Sequence, residues 1–138
     1  MRAQPLRRFP DWPTRLSAAI EAARGRPFAW GRDDCCTFAA ACVQAMTGTD
    51  PMQGWRERYR NAAGALRLQI KHGGLPVLIN RALGEPIAPA LAQRGDVVLI
   101  GTDRGFAAGI CVGESAVFAG SDGPAYVGSP EWVQAWRV

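Results

Sequence analysis

Residues 27–48 read PFAWGRDDCCTFAAACVQAMTG, and the fold is decided by how this stretch is understood. An aromatic turn, Trp30-Gly31, is followed by the polar step Arg32-Asp33-Asp34 and then by two cysteines. Asp33 or Asp34 can accept a hydrogen bond from the free N–H groups of a helix beginning at the cysteines. From there Cys35, Phe38, Ala39, Cys42, Val43 and Met46 recur at three- and four-residue steps, which gives the helix one apolar, buried face. Gly48 is placed to end it in the left-handed conformation. A cysteine on the first turn of a buried helix sits at the positive end of the helix dipole, which favours the thiolate. Cys35 is therefore the candidate nucleophile, and the remaining chain is read for groups that would complete its chemistry.

At 138 residues the chain fits a single domain, 1–138, long enough to bury a core. Nearly half of the residues are apolar and a fifth are charged, as in a soluble globular protein. No apolar run approaches the length needed to span a bilayer. Pro5, Pro10 and Pro13 break the first residues, which lack the apolar centre of a secretory signal. That points to a protein kept in a cytoplasm or released with a larger particle.

The net charge of +4 is uneven: residues 1–32 hold seven arginines against Asp11 and Glu21. Such an arm could meet nucleic acid or an acidic protein surface. No nucleic-acid-binding motif or stacking-aromatic pattern accompanies the charge, so a solvated arginine-rich face is the simpler reading. Residues 1–12 are expected to form an extended arm, with Leu6, Phe9 and Trp12 as anchors for its own domain or a neighbouring subunit.

Asp11 looks like the cap of a helix running to about Arg24, with Leu16, Ala19, Ile20 and Ala23 as its stripe and Gly25 as its stop. A charged, aromatic connection, 54–60, leads to a helix over 62–72, and a short helix over 75–83 carries Pro76 in its first turn. Residues 85–94 read as a proline-containing loop. The pattern then changes to short apolar runs at 96–100, 106–112, 116–119 and 125–127, separated by glycine-containing turns. The tail, 131–138, fits a helical turn and a final strand with Trp136 and Val138 on one face. Helices followed by a small antiparallel sheet make an α+β domain.

The W-G-x-D-D-C opening, the later Gly95-Asp96-Val97-Val98-Leu99 and the hairpin pattern ending in Gly109-Ile110-x-Val112-Gly113 resemble the NlpC/P60 cysteine peptidases. That family has a papain-like fold and cleaves peptide bonds in cell-wall peptidoglycan. The chain also resembles small proteins of phage and prophage tail gene clusters that share the opening. The resemblance covers segments 28–48 and 95–138. It implies that Cys35 stands at the nucleophile position, with Cys36 and Thr37 replacing the usual serine and glycine. It also implies that Gly95-Asp96 takes the place of the family's G-D, and that its general-base histidine falls on Ala107.

Alanine cannot take the thiol proton or return it to a leaving amine. The position of the third polar residue, near Phe118-Ala119, also lacks a polar group. The sole histidine of the sequence, His72, lies at a helix end, where it reads as a capping or surface residue. Asp33 and Asp34 would also tend to raise the Cys35 pKa against the dipole. The resemblance thus implies a vestigial Cys35 in a structural component of a tail tip, with other tail proteins as partners. It locates the chain in a virion assembled in a host cytoplasm. The competing expectation is an active hydrolase of peptidoglycan stem peptides, with His72 or a partner subunit supplying the base.

Four cysteines, Cys35, Cys36, Cys42 and Cys111, include no C-x-x-C pair, so the usual zinc spacing is missing and no metal or cofactor is expected. Cys35 and Cys36 are expected on different sides of their helix. Strand parity groups Cys111 with Ala107 and suggests that it faces Cys35. A Cys35–Cys111 pair, or a small metal or iron–sulfur site with Cys36 or Cys42, is conceivable, but buried, reduced thiols filling a core are the preferred reading, and Cys42 and Cys111 are expected to be free.

Overall fold

The computed structural model describes residues 6–56, 58–103 and 105–138. Four helices precede a five-stranded antiparallel sheet, so the domain is α+β. The helices are α1 (Trp12–Arg24), α2 (Cys35–Thr47), α3 (Ala62–Lys71) and α4 (Leu75–Leu83). The strands are β1 (Val97–Thr102), β2 (Gly105–Cys111), β3 (Ser115–Gly120), β4 (Gly123–Gly128) and β5 (Trp132–Trp136). Short 3-10 turns at Pro89–Leu91 and Ser129–Glu131 lead into β1 and β5.

Strands β1 to β4 form the expected meander, but the last strand returns across it. The order is β4-β3-β2-β1-β5, with β5 antiparallel to the outer edge of β1 and a register shift at Leu99/Ile100. Ile87, in the loop before β1, bridges Ala135 and shields part of that new edge.

Alternation along the strands divides the apolar residues between two layers. Val97, Leu99, Ala108, Ile110, Val117 and Trp136 pack with Leu16 of α1, the core of α2 and Leu75 of α4. Val98, Cys111, Ala116, Phe118, Trp132 and Ala135 form a smaller cluster on the other face, against Ile87, Ala92, Ile100 and Ala107. Helix α2 lies between α1 and the sheet. Its burial is broader than a single stripe: Thr37 and Ala40 are covered along with Phe38, Ala39, Cys42, Val43 and Met46. A helix covered on more than one side needs small residues where a neighbour approaches, which the alanines of 39–41 supply.

Asp11 begins α1 without a side-chain cap; its carboxylate instead pairs with Arg15 at 2.8 Å. Trp12, assigned to the arm from the sequence, is the first residue of α1. Of the expected arm, residues 1–5 lie outside the described residues and residues 6–11 lie against their own domain. The Phe9 N–H donates to Met46 O at 2.8 Å, and Arg8 lies over the Trp12 ring at 4.3 Å. Arg8 also donates to Asp96, to Arg94 O and to Val138 O.

Candidate functional site

The start of α2 is held by one buried carboxylate. Asp34 occupies the N-cap with extended backbone and accepts from Thr37 N at 2.9 Å, while Thr37 Oγ1 accepts from Asp34 N at 2.8 Å. This reciprocal capping box gives Thr37 a structural reason to be there. The second carboxylate oxygen accepts from Gly31 N at 2.7 Å and from the Tyr59 hydroxyl at 2.6 Å. Gly31 has φ of 83°, a left-handed conformation that turns its N–H back toward the cap. Phe28 and Trp30 stack edge-on at 5.0 Å on the same turn. Tyr59 is an anchor that pattern reading missed. Its only sequence signal is an aromatic between Arg58 and Arg60 in a segment otherwise read as a connection.

Cys35 follows directly and is half-buried on the first turn of α2. Its Sγ lies 4.0 Å from that of Cys36, so the two thiols are neighbours and do not point to different sides. Successive residues on a helix are turned by about 100°, and long sulfur atoms at the open first turn can still converge. The Cys36 thiol lowers the Cys35 pKa most. Burial opposes it, the backbone N–H groups of Ala108 and Cys36 lower it further, and the Asp34 charge raises it. The net shift is downward, so the expected opposition from Asp34 is present but outweighed. Cys36 is raised well above the ordinary thiol value, first by serving Cys35 and then by burial.

The strand facing this thiol carries no base. Ala108, not Ala107, lies on the α2 side of β2, while Ala107 packs with the opposite cluster. Cys111 is also on that far face, where its thiol donates to Gly113 O at 3.3 Å. The expected facing of Cys111 toward Cys35 is therefore overturned. Gly109 explains the parity: a Cβ there would stand 2.6 Å from the Phe118 ring, so the outer face of β2 is shaped to receive that ring. All four cysteines are unpaired, Cys42 and Cys111 fully buried. Burial pushes the Cys42 thiol up to about 12.

His72 caps the C-terminal end of α3, with its ring edge-on to Trp55 at 4.8 Å and its Nε2 buried without a hydrogen-bond partner among the described residues. Desolvation lowers its pKa first, followed by the charges of Arg81, Lys71 and Arg58. No imidazole is among the groups that shift the Cys35 thiol. Among the described residues, no group of three or more His, Cys, Asp or Glu side chains is arranged to hold a metal ion.

Asp96 is buried, but its partners are structural. Oδ1 accepts from Arg8 Nη2 at 3.0 Å and from Val138 N at 3.1 Å, and Oδ2 accepts from Gln93 N at 2.9 Å. The carboxylate thus ties the N-terminal arm and the C-terminal residue to the start of β1.

An apolar cavity of about 260 Å³ lies beside the thiol pair, between α2, α3, α4 and the sheet. Cys36, Val97 and Ala108 line its floor. No described helix is long and apolar enough to cross a membrane.

Compared with known protein families, residues 7–138 match the model described as "Domain of unknown function (DUF6950)". No protein of curated function matches the chain.

Proposed function

The chain belongs to the DUF6950 family, whose description carries no activity, and we propose that it is a catalytically silent papain-like domain of NlpC/P60 type. In this reading it serves as a structural component of a phage or prophage tail tip. The observation that carries the loss of activity is the strand opposite Cys35: Ala108 offers only its backbone N–H to the thiol, and Ala107 faces away. Cysteine-based hydrolysis needs a group that both accepts the thiol proton and returns it to the departing amine. The tail-tip role rests on the resemblance of the W-G-x-D-D-C opening to small tail-cluster proteins.

A second reading is favoured by the downward shift of the Cys35 thiol at a helix N-terminus, a property shared with cysteine nucleophiles. There the domain hydrolyses peptidoglycan stem peptides with a base supplied by an assembly partner.

Two measurements test these readings. Purified chain is incubated with muropeptides, alone and with tail particles, beside Cys35→Ser; no turnover in either condition is expected. Turnover lost in Cys35→Ser establishes the hydrolase instead. Mass spectrometry of purified tail particles is expected to find the chain at fixed stoichiometry, and its absence from them defeats the structural role.

A further inference from the structure

The cavity beside the thiol pair has features of a ligand site rather than of imperfect packing. Protein interiors hold few voids larger than a water molecule. This one is about 260 Å³ and is walled by Ala40 and Val43 of α2, Leu68 of α3, Leu78 and Ala82 of α4, and Trp55. An enclosed apolar cavity of about 150 Å³ accepts benzene, so the present volume suits a chain of about ten carbons. Its polar lining is sparse. The Tyr59 hydroxyl is committed to Asp34, and the Cys36 thiol to Cys35.

Gln69 and Arg81 also line the cavity, and Arg81 is exposed, which puts its guanidinium at the mouth. The helices that wall the cavity are rich in basic residues, although Glu57 and Glu85 flank them in sequence. Residues 58–84 contain Arg58, Arg60, Arg67, Lys71 and Arg81 and no aspartate or glutamate. Arg81, Lys71 and Arg58 lie close enough to His72 to lower its pKa, after the larger effect of desolvation. Leu66, Ile70 and Val77 are exposed on α3 and α4, so apolar and basic surface occur together on these helices.

We propose that this cavity binds an anionic amphiphile, with an unbranched aliphatic chain of about ten carbons between α2, α3 and α4 and its carboxylate or phosphate head at Arg81. An apolar tail satisfies the walls, which offer almost nothing to hydrogen-bond. An anionic head satisfies the basic rim, where a guanidinium can engage two oxygens at once. The proposal is independent of the tail-tip reading, since neither muropeptide turnover nor particle content enters its test.

The test is calorimetric titration of the full chain with decanoate below its micelle concentration, with 1-decanol as the neutral analogue. Decanoate is expected to bind at one molecule per chain. Arg81→Gln should weaken decanoate several-fold and leave decanol unchanged, and Ala82→Phe should abolish both by filling the cavity. Flotation with phosphatidylglycerol or phosphatidylcholine vesicles distinguishes the source of the head group. Capture by the anionic vesicles alone, competed by decanoate, identifies a bilayer lipid; decanoate binding without vesicle capture identifies a free carboxylate. Should Ala82→Phe not fold, a diazirine-bearing decanoate on the unaltered chain decides the matter. Adducts within α2 and α4 support the site. Absence of decanoate binding, binding indifferent to Ala82→Phe, or adducts confined to other segments overturns it.

Discussion

The Tyr59 hydroxyl donates to the buried Asp34 carboxylate at 2.6 Å, across 25 residues of chain. That bond makes the segment before α3 part of the start of α2, because the same carboxylate caps the helix and binds the Gly31 turn. Burial and the neighbouring Asp34 charge both raise the Tyr59 pKa, so the hydroxyl keeps its proton and remains a donor.

Removing the two partners should have unequal consequences. Tyr59→Phe takes one donor from a carboxylate that keeps two backbone donors, at a cost of about 1–2 kcal/mol. Asp34→Ala removes the cap and strands the Tyr59 hydroxyl and the Gly31 N–H, so about 3 kcal/mol is expected. Urea denaturation measures both. Asp34→Asn adds a second readout: it removes a charge that raises the Cys35 pKa, so the thiol should become more acidic while the fold is weakened. A variant in which stability and thiol acidity moved together would contradict this account.

Arg8 and Asp96 form a second clasp, 3.0 Å apart with the carboxylate almost fully covered. Arg8→Ala should cost about 2 kcal/mol, less than for a fully buried pair because the arginine is partly exposed. Gly95 has φ of 95°, and a Cβ there would stand 2.6 Å from Arg8 Nη1. Gly95→Ala should therefore cost about 1–3 kcal/mol from backbone strain and displacement of the arginine. The double variant should be less damaged than the sum of the two, since the clash vanishes with Arg8. Strict additivity in a thermal-denaturation cycle would exclude the contact.

Helix boundaries were legible because the chain marks them chemically. Asp34 and Gly48 bracket α2, and Pro76 with Gly84 frames α4, whose span over 75–83 coincides with that expected from sequence. The hairpins of β1 to β4 were likewise marked by glycine turns. The β5–β1 pairing was not, because it is a long-range choice of edge that no local pattern encodes. The face of β2 turned toward α2 depends on how Gly109 receives Phe118, so parity from Ala107 misplaced Cys111. The Cys35 position was readable from its cap. Its relation to Cys36 was not, since it depends on where two side chains point at an open helix end.

Acid should loosen the segment after α2. Burial raises the Asp50 pKa, but hydrogen bonds from Arg56 and from Met52 N, with the Arg56 charge, leave it below the ordinary value. Arg56 engages both carboxylate oxygens, at 2.8 and 3.2 Å. A carboxylate whose folded pKa is lowered stabilises the protein above the unfolded value, about 3.9 for aspartate, and ceases to do so as pH falls through the folded value. Both side chains are only half-buried and reach solvent, so the contribution should stay below about 1 kcal/mol. Asp50→Asn should reduce the loss of stability between about pH 5 and pH 2, relative to the unaltered chain. Identical stability–pH curves for the two proteins would show that the pair carries no linkage.

The thiol pair makes the most direct prediction for the site. Cys35 lies below the ordinary thiol range because Cys36 donates to it, and Cys36 lies well above for the same reason. Near neutral pH, iodoacetamide should therefore modify Cys35 first, while Cys42 and Cys111, both raised by burial, stay unmodified in the folded chain. The rate at Cys35 should rise with pH and level off below the pH expected of an ordinary thiol, as the thiolate population saturates. Cys36→Ala removes the donor, so the Cys35 pKa should rise. A donor worth about 1 kcal/mol corresponds to somewhat less than one pKa unit, a several-fold slower reaction at pH 7. Cys36→Ser retains an O–H donor and should restore much of the rate, which separates hydrogen bonding from a change in packing. Peptide mapping after timed alkylation reads each cysteine individually. A Cys35 profile unchanged in Cys36→Ala, or first modification at Cys36, would mean that Cys36 does not donate to Cys35 across their 4.0 Å separation.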